Sequence, residues 1–226
     1  RSVVTTTSTL SLDATAYEEV DLSPDGTANS YIVSEAGVYS FDASVKGNGM
    51  GDNAYLSPAS AELLWAENLL VVTNVIYDEA SRKIKFTTTG YEGNAVIAAK
   101  DADGNIIWSW HIWSTDTPEE HTYSDINSNP TGILMDRNLG ATSATPGDIG
   151  ALGLLYQRGR KDPFMGSSSI SSDTPKKTTI KWPNYVLTDE TTGTIEYAIS
   201  HPTIFIYRSG NDWLYQNSDS KAYSRW

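Results

Sequence analysis

Ile106-Ile107-Trp108-Ser109-Trp110-His111-Ile112-Trp113 decides the fold class of this chain. The run carries three of the seven tryptophans. Alternate side chains of an extended strand face opposite ways. Ile106, Trp108, Trp110 and Ile112 then share one apolar face, which must be buried. Ile107, Ser109, His111 and Trp113 share a mixed face, suited to partial cover by a partner or a second domain. Residues 94–100 read as the neighbouring strand. Asp101-Ala102-Asp103-Gly104-Asn105 between the two reads as a hairpin turn.

The same alternation appears upstream. Tyr39 and Phe41 point one way, Val38 and Ser40 the other. Residues 71–77 and 83–87 are strands joined by a turn over 78–82. Gly47, Gly49 and Gly51 make residues 46–53 a loop. Residues 57–68 fit two readings: Ser57-Pro58 opens like a capped helix, and Leu63-Leu64-Trp65 suits a strand. Seven or so short strands with regular turns predict a β-sandwich over residues 1–115.

The chain has 226 residues, enough for two ordinary domains. Its net charge is −12. Through residue 115 there are 6 basic and 15 acidic residues, and beyond it 10 and 13. An acidic surface repels phosphate backbones, so nucleic acid is not an expected partner. No run approaches eighteen apolar residues, so no transmembrane segment is expected. No charged-then-apolar leader opens the sequence, so an export signal would stand outside it. With no cysteine there are no disulfides and no thiolate sites.

The second half, residues 116–226, reads as an irregular α+β domain. Residues 115–129 are polar and suggest a linker. Residues 133–140 restore strand patterning. Residues 151–158 are its best helix candidate, weakened by Gly153. Residues 166–177 form a Ser/Thr/Lys loop. Residues 185–187, 194–198 and 203–207 read as short extended segments.

Several constellations could carry chemistry. Asp101-x-Asp103-Gly104-Asn105 has the oxygen spacing that begins a calcium loop, but Ile112 stands where the closing carboxylate belongs. Hairpin turns use the same residues. Neither a metal nor a cofactor is expected. Glu119-Glu120 and Asp189-Glu190 are adjacent, so neither pair can flank one glycosidic bond. His111, His121 and His201 show no metal spacing. Asp136, Arg137, Arg158, Arg160, Lys161 and Asp162 form the densest charge cluster. They suit either a pocket for an acidic or hydroxylated ligand or an internal ion pair that locks the Gly159 turn. Trp182, Tyr185, Trp213, Tyr215, Tyr223 and Trp226 suit either stacking on sugar rings or a core. The ligand-site candidates are therefore Asp136, Arg137, Arg160, Asp162, Trp182 and Trp213.

Three runs carry a family resemblance. The first is residues 28–33 with Lys46-Gly47-Asn48-Gly49. The second is residues 93–98 leading to Trp108–Trp113. The third is Met135-Asp136-Arg137-Asn138-Leu139-Gly140-Ala141-Thr142 with residues 153–164. Together they resemble exported, often lipid-anchored surface proteins of anaerobic gut bacteria related to fimbrillins. The third run is also similar to the major paralogous domain of fibre-degrading bacteria, which has C-type-lectin-like character. Such sequences carry Trp where Arg158 stands and continue into a Cys-Pro-x-Gly-Trp segment not found here. This implies an incomplete lectin-like unit, truncated at its C-terminus. The resemblance implies an adhesive or structural surface component, without enzymatic activity, at the cell surface or outer membrane. A lipid anchor on a removed N-terminal segment belongs to that reading, and its partners are other surface or pilus proteins, or glycans. The competing expectation is a carbohydrate-binding accessory, or a glycosidase with dispersed carboxylates.

Overall fold

The computed structural model describes residues 17–51, 54–124, 129–165, 184–208 and 212–215. Eight strands come first: β1 (Glu19–Asp21), β2 (Ser30–Val33), β3 (Ala36–Asp42), β4 (Ser60–Ala66), β5 (Thr73–Asp78), β6 (Lys83–Thr89), β7 (Gly93–Lys100) and β8 (Ile106–Ser114). They form two four-stranded sheets, ordered β1-β3-β6-β5 and β2-β8-β7-β4. This is the expected mainly-β sandwich, and β8 ends it at Ser114.

Aromatic side chains from both sheets meet between them. Tyr31 stacks on Phe41 at 4.8 Å. Phe41 lies 5.1 Å from Trp110 and 6.3 Å from Phe86. Trp108, Trp110 and Ile112 are buried in this cluster, as their shared face requires. Across the hairpin, Ala99 pairs with Trp108 and Ala95 with Ile112, so small residues make room for large ones. The alternation fails at the start of β8. A register shift between Ala99 and Lys100 pairs Lys100 with Ile106. Ile107, not Ile106, then packs against the core, because a bulge inserts one unpaired residue and resets the faces.

The outer face of the first sheet is charged. Lys85 bridges Glu19 at 3.0 Å and Asp78 at 2.9 Å, and Lys83 reaches Asp21 at 2.7 Å. Such partly exposed pairs contribute little, about 0–1 kcal/mol each, but they keep this face solvated. Residues 57–68 resolve as a strand, because β4 pairs along β7.

Three readings of the second half are corrected. Residues 115–129, expected as linker, contain β9 (Glu120–Ser124), which pairs antiparallel with β10 (Pro130–Met135). Every residue of β9 is exposed, so no hydrophobic alternation announced it. Residues 151–158 are not a helix. A 3-10 turn at Ile149–Leu152 is capped by Asp148, whose side chain accepts from the Gly150 N–H at 3.0 Å. Gly153 then breaks the helical path at φ 70°. A Cβ there would lie 2.5 Å from the Leu139 carbonyl. The chain continues as β11 (Leu155–Tyr156), paired with β12 (Pro163–Phe164). Residues 194–198 are not extended either. They open α1 (Ile195–Ser200), capped by the Thr194 side chain accepting from the Tyr197 N–H. The cap and Glu196 in the first turn override the β-branched residues. β13 (Tyr185–Leu187) and β14 (Phe205–Tyr207) form a small parallel pair. Among the described residues, no helix is long and apolar enough to cross a membrane.

Candidate functional site

The outward face of β8 is not left to solvent. Ser109, His111 and Trp113 are all buried, and the second half covers them. The Trp113 indole N–H donates to the Ala141 carbonyl at 3.1 Å. This is the expected contact between the mixed face and the second half.

His111 sits in a chain of polar groups. Its Nε2 lies 2.8 Å from Asn94 Oδ1, and its Nδ1 lies 3.0 Å from the Ser30 hydroxyl. The Asn94 amide donates to Glu67 Oε2 at 2.9 Å and to the Gly140 carbonyl at 2.8 Å. With that amide nitrogen committed, Asn94 Oδ1 can only accept. His111 Nε2 therefore carries the proton, and Nδ1 accepts from Ser30. Burial holds the His111 ring down to about 3 and pushes the Glu67 carboxyl up, against the pull of the Asn94 hydrogen bonds. At neutral pH the ring is an uncharged joint between strands β2, β8 and β7.

Two residues along the strand, Ser109 donates to Asp162 Oδ1 at 2.6 Å. Lys161 pairs with Asp162, donates to the Ser109 carbonyl at 2.9 Å and also contacts the Ser109 hydroxyl. Its ammonium lies 4.5 Å from the centre of the Trp108 ring. Burial lowers the Lys161 pKa, and Asp162 opposes that shift. The second carboxylate oxygen of Asp162 is buried without a partner.

Gly140 fixes how closely the second half approaches. It adopts φ 80°, and a Cβ there would fall 2.6 Å from Leu154 Cγ and 3.2 Å from Asn94 Oδ1. Gly140→Ala should cost about 1–3 kcal/mol through strain and crowding. Thermal melting measures this, and an unchanged midpoint would mean that the close approach is not needed.

The five sequence candidates among the described residues do not converge on one pocket. Asp136 and Arg137 pair side by side, with Nε–Oδ1 and Nη2–Oδ2 both at 2.8 Å. Arg137 also bonds Asp116 and the Thr115 hydroxyl. The Arg137 bonds hold both carboxyls below their usual range. Arg160 and Trp213 lie elsewhere. Arg160 donates to the Ile204 carbonyl at 2.7 Å, to Gln157 Oε1 at 2.9 Å and to the His201 carbonyl at 3.2 Å, with a longer contact to Ala198. Its guanidinium stacks 5.0 Å from Phe164 and 5.8 Å from Trp213. Burial pulls it down to about 10, so it stays charged at neutral pH. Trp213 donates to the Arg158 carbonyl at 2.8 Å and packs with Ala198 and Ile206 in a small core. Asp162 belongs to the seam with Ser109. Trp182 lies outside the described residues.

Sequence reasoning passed over Glu67, Asn94 and Gln157 as functional positions, and treated Lys161 only as part of a charge cluster. Gln157 acts as a piece of strand: it donates to the Ile206 carbonyl at 2.8 Å and accepts from the Ile206 N–H at 3.1 Å. The Asp101 carboxylate is filled by its own turn, accepting from the N–H groups of Asp103 and Asn105 and from the Asn105 amide. Among the described residues no cluster of His and carboxylates has metal-site geometry. Calcium or chelator should leave the melting midpoint in place, and a rise of several degrees with calcium would show a site at this loop.

The two sheets and the second half built onto one of them define a mainly-β protein with an internally bonded polar seam. No family model, curated protein or solved structure matches the chain.

Proposed function

We propose that this chain is a non-enzymatic, exported cell-surface component, adhesive or structural, related to fimbrillins. The supporting observation is how its charged groups are committed. Arg137 is bonded to Asp136 and Asp116, Arg160 to backbone carbonyls and Gln157, and Lys161 to Asp162 and Ser109. Groups bonded in this way join parts of one molecule and leave no free acid–base pair among them. Contact area is offered elsewhere. Ile133 and Leu134 on β10, and Tyr185, Leu187 and Tyr207 on β13 and β14, are large and exposed. Clustered exposed apolar side chains suit protein contacts. Its partners in this reading are other surface or pilus proteins, with delivery by export and lipid anchoring.

One observation favours a second reading, a carbohydrate-binding accessory. Tyr185 and Tyr207 meet edge to face at 6.2 Å with both rings exposed. Such faces stack on sugar rings. A glycan array with a general glycosidase screen on the purified chain separates the readings. The adhesive or structural role predicts silence in both. Glycan binding without turnover favours the accessory, and turnover would establish a glycosidase with dispersed carboxylates.

A further inference from the structure

Both hydrogen bonds that tie the 140–141 segment to the sandwich are donated by immediate neighbours of His111. Asn94, bonded to His111 Nε2, holds the Gly140 carbonyl. Trp113, its ring stacked 6.4 Å from the imidazole, holds the Ala141 carbonyl. The strand's other face lines the apolar sandwich core; on the ring's side, Gly140 beside Asn94, Ala141 beside Trp113, and Leu154 beside Gly140 are buried. A charged imidazole would therefore gain water most readily by lifting this cover, which is held by these two bonds and by the Lys161 and Asp162 contacts to Ser109, rather than by opening the aromatic core.

We propose that the seam is an acid-opened joint: protonation of His111 releases residues 138–164 from the outer face of the second sheet while the sandwich stays folded. The groups around the ring set the sign. Ser30 faces it from β2, Asn94 from β7 and Trp113 from β8. Glu67 reaches it through Asn94. Lys161 and Asp162 lie along the strand beside Ser109. No carboxylate touches the ring directly, so burial alone disfavours its charge. Burial holds the folded ring down to about 3, below the 6.5 of a free one. Acid therefore favours the open form below the free value, by about tenfold per pH unit. Glu67 works the other way, because burial raises its carboxyl and acid favours its neutral buried form. Glu67 reaches the ring only through Asn94, whereas His111 itself lies under the cover, and His111→Gln separates the two contributions.

The test is hydrogen exchange on the full chain at about pH 7 and about pH 4.5, corrected for intrinsic rates, with His111→Gln alongside. The side-chain amide introduced by His111→Gln can still donate to Asn94 and accept from Ser30 but does not titrate. In the wild type, protection over residues 138–164 should fall by roughly a hundredfold, while β3 and β6 keep theirs. In His111→Gln the fall should be under about threefold. Equal acid responses in the two proteins, release of β2 instead, or loss of both sheets together would overturn the proposal. If the variant does not fold, the wild-type ring is followed by NMR. Protonation of His111 must coincide with the loss of protection, and either event without the other is contradictory.

Discussion

Replacing Trp110 by alanine should remove about 3–5 kcal/mol of stability and lower the melting midpoint by on the order of 10 °C. Trp110 is fully buried, and it touches the opposite sheet through Phe41 at 5.1 Å. Its loss removes a large transfer term and leaves a cavity between two sheets that their hydrogen-bond ladders hold apart. The rigidity of those ladders limits collapse, which places the cost at the upper end of core truncations. The indole N–H has no hydrogen-bond partner. Trp110→Phe gives up no bond and should cost clearly less than alanine. Equal costs for the two variants, or none for alanine, would remove Trp110 from the centre of the core.

The second large effect is expected at Arg160. Arg160→Ala should cost about 2–4 kcal/mol, because it removes a buried side chain packed on Phe164 and Trp213 and strips a donor from several acceptors. The Ile204 and His201 carbonyls and Gln157 Oε1 all lose a partner at once. Gln157 Oε1 keeps the Ile206 N–H and the His201 carbonyl keeps the Ile204 N–H, so the loss of the donor is felt most at the Ile204 carbonyl, by about 1–3 kcal/mol. The damage should be local. Hydrogen exchange over residues 195–207 should rise, while strands β3 and β6 keep their protection. Arg160→Lys should recover only part of the loss, because one ammonium cannot span acceptors that a planar fork reaches together. A glycan or anion that protects Arg160→Ala no less than wild type would show that the residue serves no ligand. If Arg160→Ala melts like wild type but loses binding, Arg160 is a ligand group and not a cap.

The sandwich was legible because its signals are local. Trp108, Trp110 and Ile112 alternate along one strand, and Asp101–Asn105 names its own turn. The second half was less so, because its elements depend on distant partners. Arg160 stands out in the sequence, yet the carbonyls it caps lie about forty residues on, and nothing near Arg160 announces them. β9 is wholly exposed and carries no periodic pattern. α1 holds Ile195, Tyr197 and Ile199, which read as strand until the Thr194 cap is seen. Asn94 was hidden by the bulge: simple pairing around the Asp101–Asn105 turn sets Ala95 opposite His111, and only the register shift between Ala99 and Lys100 brings Val96 there and Asn94 onto the same face. A polar residue on a buried strand beside a histidine is a signal for a bonded pair.

The described part of the second half is built onto the outer face of the second sheet and depends on it. Ser109, Asn94 and Trp113 all supply bonds that the second half needs. The direct measurement is thermal melting and size analysis of residues 116–226 expressed alone, beside the full chain. The predicted result is a fragment without a cooperative transition, prone to associate through the uncovered face of residues 138–164. A soluble, monomeric fragment that melts cooperatively would contradict it.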